Sequence, residues 1–513
     1  MRQTTPRSAA RLVGSAVVVL ALEAGCRIGY DVQDAGDRDA GAIDVGAIDV
    51  GTIDAGAIDV GAIDVGAIDV GVDASSTSPR CGDGVLDPGE ACDGAALDGL
   101  ACTTVAAGFR SGTLGCAADC RRFDTSACVA GDTITATTCE LSDVAAAVAR
   151  AADGDTVQVP AGTCTWSSPA PDTPALQIDD RNLVLRGAGD GTTTIVDEAG
   201  TAFGETLIVF GGSRAVPARV TGFTFQRSMN AEGSAHVIAF FGPRLDWRVD
   251  HCTFSMSSIH GAVHSDGTPS GLVDHVTLEG RAFVWVYGSY GDPDAIWAQP
   301  LGLGTRRAVY VEDARFDDRL GSAHLAAGAI YADYGARVVF RHNAVRDAPL
   351  GFQGPTLTRG SFSFEIYDNT FVAEVSTWVW ASFGSGAGVV YGNRASGSWA
   401  RFLALDYVRS CEASASAGLC DGTSTADGNV EATGYPCLDQ PGRSTDGSSG
   451  QALEGIHAWD NADAAGAVSL GVNVGRCARM SDQVREGRDY FDGTPRPGYV
   501  AYPYPHPIAL IEP

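Results

Sequence analysis

The chain has 513 residues, with 63 acidic side chains against 35 basic ones, a formal charge of −28, and arginine at every basic position. So acidic a chain argues against nucleic acid as a partner, because binding polyphosphate needs a basic face. Polyanionic sugars are repelled as well unless clustered arginines or bridging cations intervene.

At the N-terminus, Arg2, Arg7 and Arg11 precede an apolar run from Leu12 to Leu22 and the sequence EAGC ending at Cys26. Residues 1–26 read as an export signal in which Cys26 becomes the lipidated first residue. Glu23 departs from that pattern, since an aliphatic residue is usual three places before the cysteine. Ordinary signal cleavage with an incidental Cys26 is the alternative. No other apolar run approaches spanning length, so membrane attachment would run through the N-terminal lipid anchor only. The expected location is the outer membrane or cell surface, otherwise the medium. Residues 27–79 hold GAIDV pentapeptides from Ala40 to Asp69 and then Ser, Thr and Pro. Isolated aliphatic pairs between repelling aspartates form no core, so this stretch reads as an extended tether. A slipped repeat with no role beyond length fits the same residues.

Residues 80–130 place Cys81, Cys92, Cys102, Cys116, Cys120 and Cys128 close together. After an export signal these six read as three disulfides, of undetermined connectivity, in a small module. A zinc site is disfavoured in an oxidising compartment. Asp83, Asp87, Glu90 and Asp93 are candidates for Ca²⁺, with solvated turn carboxylates as the alternative. The segment is similar to cysteine-rich repeats of large bacterial surface proteins.

From residue 131 to 475 the sequence repeats itself. EIYDNTF (Glu365 to Phe371) has counterparts in WRVDHCTF, GLVDHVTL, VYVEDARF, VVFRHNAV and GVVYGN. Their central apolar residues are Val249, Val273, Val311, Phe340, Ile366 and Val390, 24 to 38 residues apart. Such a period signals a repeat architecture. Each copy reads as strand, sharp turn, strand, without helical periodicity. Three places after the central residue stand Asn343, Asn369 and Asn393, with Asn461 further on, and stacked amides can bond from coil to coil. Unrelated turn asparagines are the alternative. The expected fold is all-β, a right-handed parallel β-helix with a small disulfide-rich N-terminal module. DVAAAVARAA (Asp143 to Ala152) reads as a helix capping the first coil, flanked by Cys139 and Cys164, which are expected to pair. Cys252 takes an asparagine slot and reads as a buried thiol. Cys411, Cys420, Cys437 and Cys477 are an even set, expected to staple a loop at 408–450. Residues 476–513 read as a tail packing on the helix.

WRVDHCTF resembles the WIDHC segment of pectate lyases, and GDTVQVPAGTCTW followed by RNLVLRGAG resembles the opening of pectin-lyase-fold proteins. The resemblance runs from Gly131 to Asn461 and speaks to fold more than activity. CLDQPGR and EGRDYFDGTPRPGYVAYPYPHP resemble blocks of exported bacterial β-helix proteins. In pectin-lyase-fold enzymes the substrate lies on the sheet preceding the strand that leads to the asparagine turn. That placement makes Trp285, Tyr287, Gln353, Trp378, Trp380 and Tyr407 candidates for substrate binding. His264, His324, Tyr331, Asp333, Arg337 and Arg359 become candidates for proton transfer or carboxylate binding. Inward-pointing core rings are the alternative for each Trp. Pectate lyases carry Arg-x-Pro-x-x-Arg with the first arginine as base, but here QGPTLTR (Gln353 to Arg359) has Gln353 there, which cannot be one. The paired-Asp and Arg-Ile-Lys signatures of polygalacturonases are missing too. His251, His275 and His342 read as turn residues.

Two functions fit. One is an exported, surface-anchored polysaccharide lyase or glycosidase of noncanonical mechanism, working as a monomer on a polysaccharide or cell-surface glycan. The other is a noncatalytic glycan-binding or adhesive surface protein. Convergent His, Asp and Arg side chains in one groove would favour the enzyme.

Overall fold

The computed structural model describes residues 81–513 other than 200–205, 228–235, 319–327, 356–358, 414–416, 432, 445–451 and 476, and leaves aside the side chains of 258–260, 376–378, 408 and 444. Cys26, the tether and His324 lie outside the described residues, as does the side chain of Trp378.

The chain winds as a parallel β-helix with three faces. Face A is a sheet of 12 parallel strands from Thr133–Thr135 to Tyr490–Asp492. Faces B and C belong to one 17-stranded sheet, because long strands such as Thr253–Asp266, Thr277–Tyr287, Thr370–Phe383 and Arg394–Leu405 run round the corner between them. Each coil passes from C to A, turns sharply, and returns along B.

Parallel in-register pairing lines up like residues, and alternate side chains point inward. On face A the inward line is Val157, Leu185, Val220, Val249, Val273, Val311, Phe340, Ile366, Val390 and Ala458. On face B it is Ile195, Phe225, Phe254, Leu278, Phe316, Val345 and Phe371. All of these residues are buried. At the A–B corner one residue per coil takes the left-handed conformation: His251, His275, Asp313, His342, Asp368 and Asp460, with φ of 49 to 56°. The next residue turns inward. In the later coils it is Asn, and the amides form a ladder: Asn343 Nδ2 donates to Asn369 Oδ1 (3.0 Å), Asn369 to Asn393 (2.9 Å) and Asn393 to Asn461 (2.8 Å). Cys252, a buried free thiol, Val276 and Ala314 hold the same place in earlier coils.

The first coil is closed by helix Leu141–Arg150, which turns Val144, Ala147 and Val148 into the core. Cys139 and Cys164 are bonded beside it. Cys411 pairs with Cys477 and Cys420 with Cys437 around the C-terminal excursion. The cysteine-rich segment is held by Cys81–Cys120, Cys92–Cys116 and Cys102–Cys128. It packs with the C-terminal tail on the outer side of face A, where Leu100, Val105 and Phe109 share a cluster with Leu272, Tyr310, Val339, Tyr502, Ile508 and Ile511. No described helix is long and apolar enough to cross a membrane.

Candidate functional site

Face C carries the site. Its inward line, Ile238, Val263, Val284, Ile330 and Leu350, fixes the parity of its neighbours. One outward line is therefore Ala239, His264, Trp285, Tyr331 and Gly351, and a second, two residues on, is Phe241, Asp266, Tyr287 and Asp333. Gln353 continues the second line one residue beyond the paired Ala332 and Phe352.

The rings interlock. His236 stacks on His264 with centroids 4.3 Å apart, and Trp285 sets its ring edge-on to both, at 4.9 and 5.4 Å. Tyr287 and Tyr331 approach Trp285 at 5.2 and 5.3 Å. Tyr334 meets Tyr287 at 4.5 Å, and Tyr290 meets Tyr334 at 5.0 Å. His236 and His264 are fully buried, Trp285, Tyr287 and Tyr331 are half-buried, and Tyr290 is 57% exposed.

Burial sets the electrostatics. It raises Asp333 well above the usual carboxylate range; the Tyr334 N–H, donating at 2.9 Å, opposes this, and the charge of Asp439 adds to it. Burial raises Asp266 too, against the Tyr290 N–H at 2.8 Å. No arginine among the described residues holds either as a carboxylate. Burial also pushes His264 down to about 3, so this imidazole is neutral at ordinary pH. The phenol of Tyr287 is raised, first by burial, and stays protonated. The face thus offers proton donors and aromatic surface.

Several sequence expectations are corrected. Trp380 is core, its ring 4.3 Å from Phe371. Tyr407 is buried past the strand end and donates its hydroxyl to the Leu438 carbonyl. His264 stands in the outward line yet is covered completely. Arg337 opens a face A strand, donates to the Pro300 carbonyl at 2.9 Å and lies over Phe362. Arg359 is bound to Asp439 and Asp294. Asp333, Tyr331, Trp285, Tyr287 and Gln353 do come together. Residues the sequence reading missed are His236, Tyr290 and Tyr334. The signal for the tyrosines was a Tyr-Gly pair just past the strand in both VYGSYG and YADYG.

The acidic residues suggested for Ca²⁺ are engaged in turns. Asp93 accepts from the backbone N–H groups of Gly82, Asp83 and Gly84, and Glu90 from that of Asp87. Among the described residues, Cys420, Asp427 and Cys437 are the one group of three donors close enough for an ion, but the two sulfurs are bonded to each other.

No protein-family model matches the chain, and no curated protein matches it. Among solved structures it is similar to the PL6 family alginate lyase AlyGC, at 16% identity and a TM-score of 0.35, over 52% of this chain and 36% of that one. It therefore spans about a third of that protein's length. It is also similar to an alginate lyase from Paenibacillus sp. str. FPU-7, at 15% identity and a TM-score of 0.34, over 53% of this chain and 97% of that one.

Proposed function

We propose that the protein is an exported carbohydrate-active β-helix protein, anchored through Cys26, that holds a polysaccharide along the outside of face C and cleaves it there. The supporting observation is the registered line of Asp266, Tyr287 and Asp333 beside Trp285 and Tyr331. Successive coils fix these groups about 4.8 Å apart. The half-buried rings give flat surfaces for pyranose C–H groups, and Asp333, whose pKa burial raises, is the candidate proton donor beside them. Asp266 stands two coils away, about 10 Å along the stack by strand spacing. That spacing is at the upper limit at which a carboxylic acid and a carboxylate base leave room for an attacking water.

The same geometry favours a neutral glycan over a uronate. Removing a proton beside a uronate carboxyl needs a cation on that carboxyl, and both arginines once assigned to this work are spent elsewhere. A noncatalytic binder is the second reading, favoured by how little of His264 (0%) and Asp333 (4%) is exposed.

The test is to incubate the protein with neutral and uronate polysaccharides and follow reducing ends and the ultraviolet absorbance of an unsaturated uronate. Hydrolysis predicts reducing ends without absorbance, abolished in a folded Asp333→Asn. Absorbance would show a lyase. Binding without either product, unchanged in Asp333→Asn, would establish the binder.

A further inference from the structure

The outer side of face A carries a second aromatic arrangement near the end of the coil. Tyr367, Tyr391 and Trp459 are register partners on successive strands and stand in one outward line. Their rings stack along the solenoid, Tyr367 on Tyr391 with centroids 4.8 Å apart and planes within 7°, and Tyr391 on Trp459 at 4.4 Å and 4°. Tyr367 is buried and accepts from Arg341 at 2.7 Å, whereas Tyr391 and Trp459 are half-buried. Tyr499 of the tail meets both of these edge-on, at 6.0 and 6.5 Å.

The stack stops at Trp459 because the next coil supplies no ring. In the last strand of face A, Tyr490, Phe491 and Asp492 pair with Ile456, His457 and Ala458, so the residue next in line with Trp459 is Gly493. Gly493 is exposed, and a Cβ built on it would touch nothing within 4 Å. From there the tail runs toward the opposite end of strand Ile456–Trp459, where Arg496 pairs with Glu454 at 2.5 Å. Among the described residues Trp459 makes ring contacts with Tyr391 and Tyr499 and joins no buried apolar cluster, so its face turned away from Tyr391 borders open space. Round the corner toward face B a cleft of about 630 Å³ opens, lined by Tyr391 and Asp460, the neighbours of Trp459 in the stack and in the chain, and by Asp368 and Arg394. Asp368, Asp460 and Arg394 are exposed, and Arg394 is held there by donating to the Asp460 carbonyl at 2.6 Å.

We infer that Trp459 and the cleft beside it form a second glycan-binding site, one that holds a neutral polysaccharide without cleaving it. One pyranose lies on the open face of Trp459 as the next member of the stack, its C–H groups against the indole. Hydroxyls of that unit and its neighbour donate to the carboxylates of Asp460 and Asp368 and accept from the guanidinium of Arg394. Two exposed carboxylates on the rim, in a chain of formal charge −28, disfavour a polyuronate. The site takes from the proposed function only that the ligand is a glycan, and it shares no residue with face C.

The test is electrophoresis of the full chain through native gels containing mixed-linkage β-glucan or galactomannan, with alginate as the polyuronate. Trp459→Ala removes the platform. Gly493→Asn leaves Trp459 in place and puts a side chain into the space beside it, because asparagine tolerates the left-handed backbone there, at φ 67°. Tyr331→Ala is the face C control, and thermal unfolding checks that all three variants fold. A neutral polysaccharide should retard the parent and alginate should not. Trp459→Ala and Gly493→Asn should each weaken that binding about tenfold. Binding weakened by Tyr331→Ala but unchanged in folded Trp459→Ala and Gly493→Asn would overturn this site and leave the proposed function standing. The reverse pattern would establish this site and take the glycan away from face C. A parent retarded by neither neutral polysaccharide, or retarded equally by alginate, would overturn the site whatever the cleavage assay shows.

Discussion

The guanidinium of Arg359 grips Asp439 through both carboxylate oxygens, at 2.7 and 2.8 Å, reaches Asp294 at 2.6 Å, and lies 4.5 Å over the ring of Trp297. Asp439 is completely buried, so burial raises its pKa while Arg359 opposes the rise. A partner so desolvated cannot be abandoned cheaply. Arg359→Ala should cost about 3–5 kcal/mol of stability, because it leaves a buried carboxyl without its counter-ion. Replacing the pair together, as Arg359→Leu with Asp439→Asn, should recover much of that loss. Denaturant unfolding of the single and double variants measures both. An Arg359→Ala protein that unfolds like the parent but no longer cleaves a glycan would return this arginine to the site.

In the asparagine ladder, each member serves two coils. Asn369 is 1% exposed; its Oδ1 accepts from the Asn343 backbone and side chain, and its Nδ2 donates to the Phe340 carbonyl and to Asn393. Asn369→Ala leaves those groups buried and unpaired, so it should destabilise the coil by about 2–4 kcal/mol, read as a lower unfolding midpoint. Parental melting would mean that the ladder contributes nothing. This element was legible in the sequence because four later coils place the same amide at the sharp turn, with an apolar residue three places earlier as the marker. Face C was only half legible. In TWVWA (Thr377 to Ala381) both phases of the strand are apolar, so period-two alternation carries no sign. The long strand Thr370–Phe383 also rounds the B–C corner, with a register shift between Ala373 and Thr377. Ala381 pairs with the inward Leu350, so alternation alone would turn Trp380 outward, yet beside this corner Trp380 packs in the core against Phe371. Arg337 and Arg359 were misread for another reason: their partners Pro300, Asp294 and Asp439 come from distant excursions whose course no local pattern fixes.

A solenoid is stabilised mainly by each coil stacking on its neighbours, so its ends and open faces are where the rest of the chain matters. Here face A is covered from outside by both flanking segments. The C-terminal tail supplies Tyr502, Ile508 and Ile511 to the apolar cluster. It also satisfies buried charge: Arg341 donates to the Tyr502 and Pro503 carbonyls at 2.7 and 2.8 Å, the His506 N–H donates to Glu312 at 2.7 Å, and Glu512 pairs with Arg219 at 2.9 Å. The cysteine-rich segment meets the same face, through Asp98 on Arg306 at 2.8 Å and through Leu100, Val105 and Phe109. Ending the chain at Gly498 should therefore do two things at once. It would expose Leu272, Tyr310 and Val339 to water, and it would leave Arg341 and Glu312, both fully buried in the intact protein, with fewer partners. The truncated protein should melt at a lower temperature and bind an apolar dye. Its cysteine-rich segment, having lost Ile508 and Ile511 beside it, should be cut first by a protease. Circular dichroism should still show the β signal, because the inward lines of the three faces do not involve the tail. Loss of the whole β signal would mean that the coils do not stand without their cover, and an unchanged melt would mean that the tail merely lies on a face that is stable without it.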